Sequence, residues 1–232
     1  QGADILGDEI SILQDVEKSL LGITFKVHAG GSFVPVRILG SFGKPQAYAM
    51  LAAFGVGMFL GMNLVEISQA LQKYQSLPGR TKIIPGIKNS LIIDDTYNAS
   101  PLSMHAALDF LQSINATRKI VVLGDMLEIG KYSEEAHRSV GDKAKNIADF
   151  IITVGERAKF IYQEALENNF SQDNLKHFET SKEAGEFLDK IIEAGDVVLV
   201  KGSRAMRMEK VVYEIMEHPE ESKKLLVKDP LS

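Results

Sequence analysis

The chain has neither cysteine nor tryptophan among its 232 residues. Without cysteine there is no disulfide framework, no thiolate nucleophile and no cysteine-ligated metal. No apolar run is long enough for a bilayer span, which takes about 20 such residues. The longest, around Ala47–Met62, is broken by three glycines. Basic residues number 26 against 31 acidic ones, a net charge of −5, so no cationic stripe for nucleic acid is expected. No signal peptide opens the chain, and a cytoplasmic protein is expected. Position 1 is Gln, not Met, which reads as a fragment or a processed chain. Two phosphate-binding patterns are missing as well. There is no G-x-x-x-x-G-K-[ST] loop. "GVGMFLG" at 55–61 sets its third glycine one residue too late for a dinucleotide fingerprint and lies in a helical stretch. Close helix packing explains those glycines better.

What is present is core-forming material, 45% hydrophobic against 25% charged. Residues 22–40 alternate as two strands around Gly30-Gly31, and Pro35 places the second at an edge or bulge. A buried helix is expected over 46–61, ending at Gly61. Asn63 and Glu66 form a capping pair for a further helix to about Tyr74. The turn-rich "SLPGR" at 76–80 is read as a boundary dividing 1–78 from 79–232. Beyond it, strands at 90–94, 119–124, 149–155, 175–179 and 196–202 alternate with helices at 101–113, 134–147, 156–168, 181–193 and 206–217. That rhythm predicts a doubly wound α/β domain with a mainly parallel sheet of five or six strands. The charged tail, 218–232, is expected to fray.

In such a sheet, ligands bind beyond the carboxyl ends of the strands. The first strand delivers Asp94, Asp95, Thr96, Tyr97 and Asn98 there, with Ser100 and Pro101 placed to start a helix. The second delivers Gly124, Asp125 and, shortly after, Glu128; the two acids converge only if a helical turn forms. As a metal site they are thin, because no histidine stands at ligand spacing and His137 lies on the next helix. The third strand delivers Thr153, Gly155 and Glu156. The last delivers Lys201, Gly202, Ser203 and Arg204, with a helix expected from about Ala205. Free N–H groups at that helix start, helped by Lys201, Arg204 and Arg207, predict an anion site for a carboxylate or phosphate.

"DDTYNASPLSMHAALDFL", "VVLGDMLEIG" followed by "SEEAHRSVG", and "GDVVLVKGSRAMRME" closely resemble the C-terminal domain of the Mur ligases, in the family's order and spacing. Residues 1–78 look like the tail of that family's central ATP-binding domain. The resemblance implies an ATP- and magnesium-using carboxylate–amine ligase of peptidoglycan synthesis, acting as a monomer. The wording of the loops favours the member that adds D-Ala-D-Ala to UDP-N-acetylmuramoyl-tripeptide. Other Mur-type ligases and folylpolyglutamate synthases are near alternatives. By resemblance Arg80 reaches the ATP phosphates and Asp95 the ribose. Tyr97, Asn98 and Ser100 line the ATP and dipeptide crevice, and Lys201, Gly202, Ser203 and Arg204 sit at its dipeptide end. The family's His-Asn and further Asn at the start of the central-domain helix are replaced here by Pro45, Gln46 and Ala49, with Gln46 the substitute amide for the nucleotide base. With no phosphate loop and no set of magnesium ligands, the chain alone is expected to lack ligase activity. A dinucleotide-dependent oxidoreductase would need a glycine-rich first βα turn, which "DDTYNASP" is not. A binding module that had lost its ATPase would not need these motifs intact.

Overall fold

The computed structural model describes residues 3–14 and 20–231. They fall into two compact units, residues 1–76 and 77–232. In the first unit, β1 (Ile5–Gln14), β2 (Leu20–Ala29) and β3 (Ser32–Leu39) form an antiparallel sheet in that order. Pro35 is thus on an edge strand, where its missing N–H costs no ladder bond. Helices α1 (Lys44–Phe59) and α2 (Leu64–Leu71) complete the unit. Phe25, Val27, Val36 and Ile38 of the sheet pack with Met50, Phe54 and Ile67 of the helices. The Asn63–Glu66 capping box is formed. A Cβ at Gly57 would lie 2.7 Å from Ile67 Cγ1, so Gly57 serves the approach of α1 to α2; a Cβ at Gly55 would face Ile5 of β1 instead, and Gly61, at φ 83°, has open space around it. Helix α1 was expected to be buried; one face is, but Tyr48, Val56 and Phe59 are exposed. β1 was not anticipated. Its Gly7-Asp8-Glu9 reads as a turn, and the strand bulges there, with a register shift between Asp8 and Ser11 and Glu9 at φ 51°.

The second unit is built on a six-stranded sheet. Its strands are β4 (Lys82–Gly86), β5 (Ser90–Asp95), β6 (Arg118–Gly124), β7 (Phe150–Val154), β8 (Leu175–Phe178) and β9 (Asp196–Lys201). The order is β4-β5-β9-β6-β7-β8, all parallel except β4. The sheet strands are β-branched and almost wholly buried, as two covered faces require. The connecting helices are α3 (Pro101–Ser113), α4 (Ser133–Ala144), α5 (Lys159–Glu167), α6 (Ser181–Ile191), α7 (Glu209–Ile215) and the short α8 (Ser222–Leu225). α3 packs on α4 and α4 on α5, whereas α6 packs on α7, the two-sided layering of a doubly wound fold.

Two expectations are corrected. Strand β4 pairs antiparallel with β5 at the sheet edge, its Pro85 opposite Leu91; Pro85-Gly86 concealed it in the sequence. The tail does not fray. Leu226 is buried in the core with Ile84, Ile215 and Met216, and Arg207 Nη2 donates to the Asp229 carbonyl at 2.8 Å. Among the described residues, no helix is long and apolar enough to cross a membrane.

Candidate functional site

The register of the sheet sets the site. β5 and β9 run parallel with Asp95 opposite Lys201, and β9 lies between β5 and β6. The segments after these three strands therefore emerge side by side on one rim.

After β5, two neighbouring carboxylates do different work. Asp94 is fully buried and accepts from Gly79 N–H (3.1 Å), Thr96 N–H (3.2 Å) and Thr96 Oγ1 (2.6 Å). Burial raises its pKa from 3.8 to about 6, against the opposing effect of these hydrogen bonds. Asp95 accepts from Thr81 N–H at 2.9 Å and Oγ1 at 3.2 Å, and pairs with Lys201 Nζ at 2.6 Å. A ribose at Asp95 would have to share it with both. Tyr97 N–H donates to the Gly79 carbonyl, so 79–81 is tied to 94–97 at three points. Between those ties the Arg80 guanidinium lies 3.8 Å from the centre of the Tyr97 ring, both side chains exposed. The result is a flat cationic platform. Ser100 caps α3 in a box with Ser103, as the local reading had it.

After β6, Asp125 and Glu128 do not converge. Asp125 is buried, its Oδ1 accepting from Ala158 N–H at 2.7 Å and its carbonyl from Ser203 N–H at 2.9 Å. Glu128 is exposed, with φ 64°. His137, too far off in the sequence to count as a metal ligand, has a structural task that its place on the buried face of α4 signals. It is fully buried, and its Nδ1–H donates to the Ser133 carbonyl at 2.6 Å. Its Nε2 then accepts from Met126 N–H at 2.9 Å. Burial pushes its pKa down, consistent with the neutral ring this geometry needs. His137→Leu should lower unfolding free energy by about 1–3 kcal/mol, because it orphans the buried Met126 N–H and removes the side-chain bond to the Ser133 carbonyl. Chemical denaturation and faster hydrogen exchange at the Met126 amide would register it; unchanged exchange would contradict the role.

After β9, three expectations change. Lys201 is only 2% exposed; besides Asp95 it donates to the Asn98 carbonyl at 2.8 Å, so it braces the β5 loop. Gly202 is buried, and an added Cβ would stand 2.7 Å from Met208 Cγ and 3.1 Å from Gly124 Cα. Its small size serves the approach of β9 to β6. No helix starts at Ala205. Arg204–Met206 is a single 3₁₀ turn, Arg207 is left-handed at φ 53°, and α7 begins only at Glu209. Glu209, fully buried, draws in Arg207 as an ion-pair partner, with Arg204 Nη1 3.9 Å from its other oxygen. The helix-terminus anion site is therefore absent. Of the three cations Arg204 has the most exposed side chain, although its Nη1 is turned inward toward Glu209.

Asn98, Ala99, Ser100 and Pro101 of the first segment, Leu127, Glu128 and Ile129 of the second, and Ser203, Arg204 and Ala205 of the third line one cleft of about 650 Å³. Leu127 N–H donates to Ser203 Oγ at 2.8 Å and joins two of its walls. Thr153, the β7 residue, is fully buried and bonded to His177. Gln46, in the first turn of α1, belongs to the first unit. No group of three His, Asp or Glu side chains able to hold a metal ion occurs among the described residues.

Residues 79–204 match the family model described as "Mur ligase, glutamate ligase domain". The chain is 31% identical over 211 residues to the UDP-N-acetylmuramoyl-tripeptide–D-alanyl-D-alanine ligase of Bacillus subtilis (strain 168), covering 89% of this chain and 45% of that protein. Among solved structures, MurF from Acinetobacter baumannii superposes with a TM-score of 0.77 at 30% identity, covering 94% of this chain and 46% of that one. MurF ligase from Thermotoga maritima in complex with ADP gives 0.76 at 26% identity, with 97% and 48% covered. The chain thus spans a little under half the length of these relatives. With the family model covering more than half of the chain and the fold shared along nearly all of it, the chain belongs to the Mur ligase family.

Proposed function

We propose that this chain is the C-terminal portion of an ATP-dependent amide ligase that adds D-Ala-D-Ala to UDP-N-acetylmuramoyl-tripeptide in cytoplasmic peptidoglycan synthesis. Residues 1–78 would be the tail of its central ATP-binding domain and 79–232 its C-terminal domain. The observation that carries the reading is the single cleft built from the ends of β5, β6 and β9. In this reaction the tripeptide carboxylate takes the γ-phosphoryl group of ATP as the bond to ADP breaks. The dipeptide amine then attacks the carbonyl carbon, loses a proton to solvent and expels phosphate. The demands on the protein are placement of the amine and neutralisation of phosphoryl charge.

The Arg80–Tyr97 platform is suited to the nucleotide phosphates, and Gln46 remains the proposed contact to the base. Asn98, Ser100, Ser203 and Arg204 would receive the dipeptide, with Arg204 opposite its carboxylate. Magnesium would be held mainly by residues outside this chain together with the ATP phosphates. Titrating the isotopically labelled chain with D-Ala-D-Ala should shift the amide resonances of Asn98, Ser100, Ser203 and Arg204, and shift them further than a single amino acid such as L-glutamate does. Preference for the single amino acid would instead assign the cleft to another amino-acid-adding ligase.

A further inference from the structure

The cleft wall carries only two charged side chains, Arg204 and Glu128, and they are of opposite sign. They do not pair with each other: the partner of Arg204 is Glu209, and Glu128 makes no hydrogen bond or ion pair among the described residues. Two opposite charges, not paired with each other, on the wall of an otherwise neutral cleft suit a zwitterionic ligand. An extended dipeptide separates its ammonium and carboxylate by roughly 7 Å. We propose that Glu128 receives the ammonium group of the incoming dipeptide while Arg204 takes its carboxylate, making Glu128 a specificity-determining residue. This rests on the D-Ala-D-Ala reading above.

The backbone supports the assignment. Glu128 is left-handed, a conformation that costs a side-chain-bearing residue about 1–2 kcal/mol. A freely solvated loop would relax out of it. This one is pinned immediately upstream, since Met126 N–H is held by His137 and Leu127 N–H by Ser203 Oγ. Ser203 N–H in turn is held by the Asp125 carbonyl. No hydrogen bond or ion pair of the Glu128 side chain among the described residues offsets the strain, and its carboxylate is left available to a ligand in the cleft. The pins on Leu127 and Ser203 also fix Glu128 relative to Arg204, because one hydrogen bond joins the two segments.

Three probes separate the charges: D-Ala-D-Ala, its N-acetyl derivative and its C-terminal amide. Titrated into the labelled chain, the wild type should bind N-acetyl-D-Ala-D-Ala at least 10-fold more weakly than the free dipeptide. Glu128→Gln should bind the two within about 3-fold of each other, and Arg204→Gln should become similarly indifferent to amidation of the carboxylate. Glu186→Gln, an equal charge change on α6, should behave as wild type. The spectrum of each variant reports whether it is folded, and Glu128 is exposed enough to be replaced without loss of packing. If Glu128→Gln keeps the full preference for the free amine, the inference is overturned and the dipeptide reading survives. If the wild type binds no D-Ala-D-Ala, both fall.

Discussion

Lys201→Met is expected to destabilise the second unit by about 3–5 kcal/mol, the usual effect of removing one member of a buried ion pair. For a domain of this size the melting temperature should fall on the order of 10 °C. Lys201 and Asp95 have side chains 3% and 12% exposed, with Nζ 2.6 Å from the carboxylate, so little water is available to take over from the lysine. Removing the lysine leaves Asp95 charged with only Thr81 as donor, and leaves the Asn98 carbonyl without its own. The same logic predicts recovery. The double variant Lys201→Met, Asp95→Asn should regain most of the loss, since the stranded charge is gone and an amide oxygen still faces Thr81. Urea denaturation of the three proteins decides it. A loss below about 1 kcal/mol for the single variant would mean that water reaches Asp95 and that the pair does not brace the loop.

That lysine also marks where sequence reading stopped. The positions of the strand ends were legible because β-branched runs, glycines and helix caps coincide at 90–101, 119–124 and 196–203. Asn98, Ser100, Ser203 and Arg204 accordingly share a cleft. The task of Lys201 was not legible, because it depends on register. Asp95 and Lys201 stand opposite each other only because β9 inserts between β5 and β6, a pairing between segments more than 100 residues apart. The basic run 201–207 looked like one anion site. Instead the buried carboxylates Asp95 and Glu209 take up Lys201 and Arg207, while Arg204, 3.9 Å from Glu209 at one nitrogen, also lines the cleft. β1 and β4 were hidden for a local reason: a bulge around Glu9 and a Pro-Gly pair at 85–86 carry turn chemistry inside strands.

The second large effect concerns pH and Asp94. Its carboxyl titrates near 3.8 when unfolded and at about 6 in the folded protein. Burial is the main cause; the two hydrogen bonds from Thr96 oppose it, the charge of Asp95 adds to it, and the Gly79 N–H opposes it. Between those two values the native state holds a proton that the unfolded chain has released, so stability falls as pH rises. The contribution is fully present below pH 3.8 and gone above about pH 6, and a shift of roughly two units corresponds to about 3 kcal/mol. Asp94→Asn mimics the protonated acid at every pH. The variant and the wild type should therefore lie within about 1 kcal/mol of each other at pH 4, and the wild type should lose about 3 kcal/mol relative to the variant by pH 7.5. Two histidines work in the opposite direction. His137 and His177 have pKa values lowered by burial, so the stability they contribute is lost as pH falls below 6.5. Both proteins share them, and they cancel in the difference. Parallel stability curves for the two proteins between pH 4 and 7.5 would show that Asp94 ionises as it does in the unfolded chain. The tie between Gly79 and the β5 loop would then be one that water can enter.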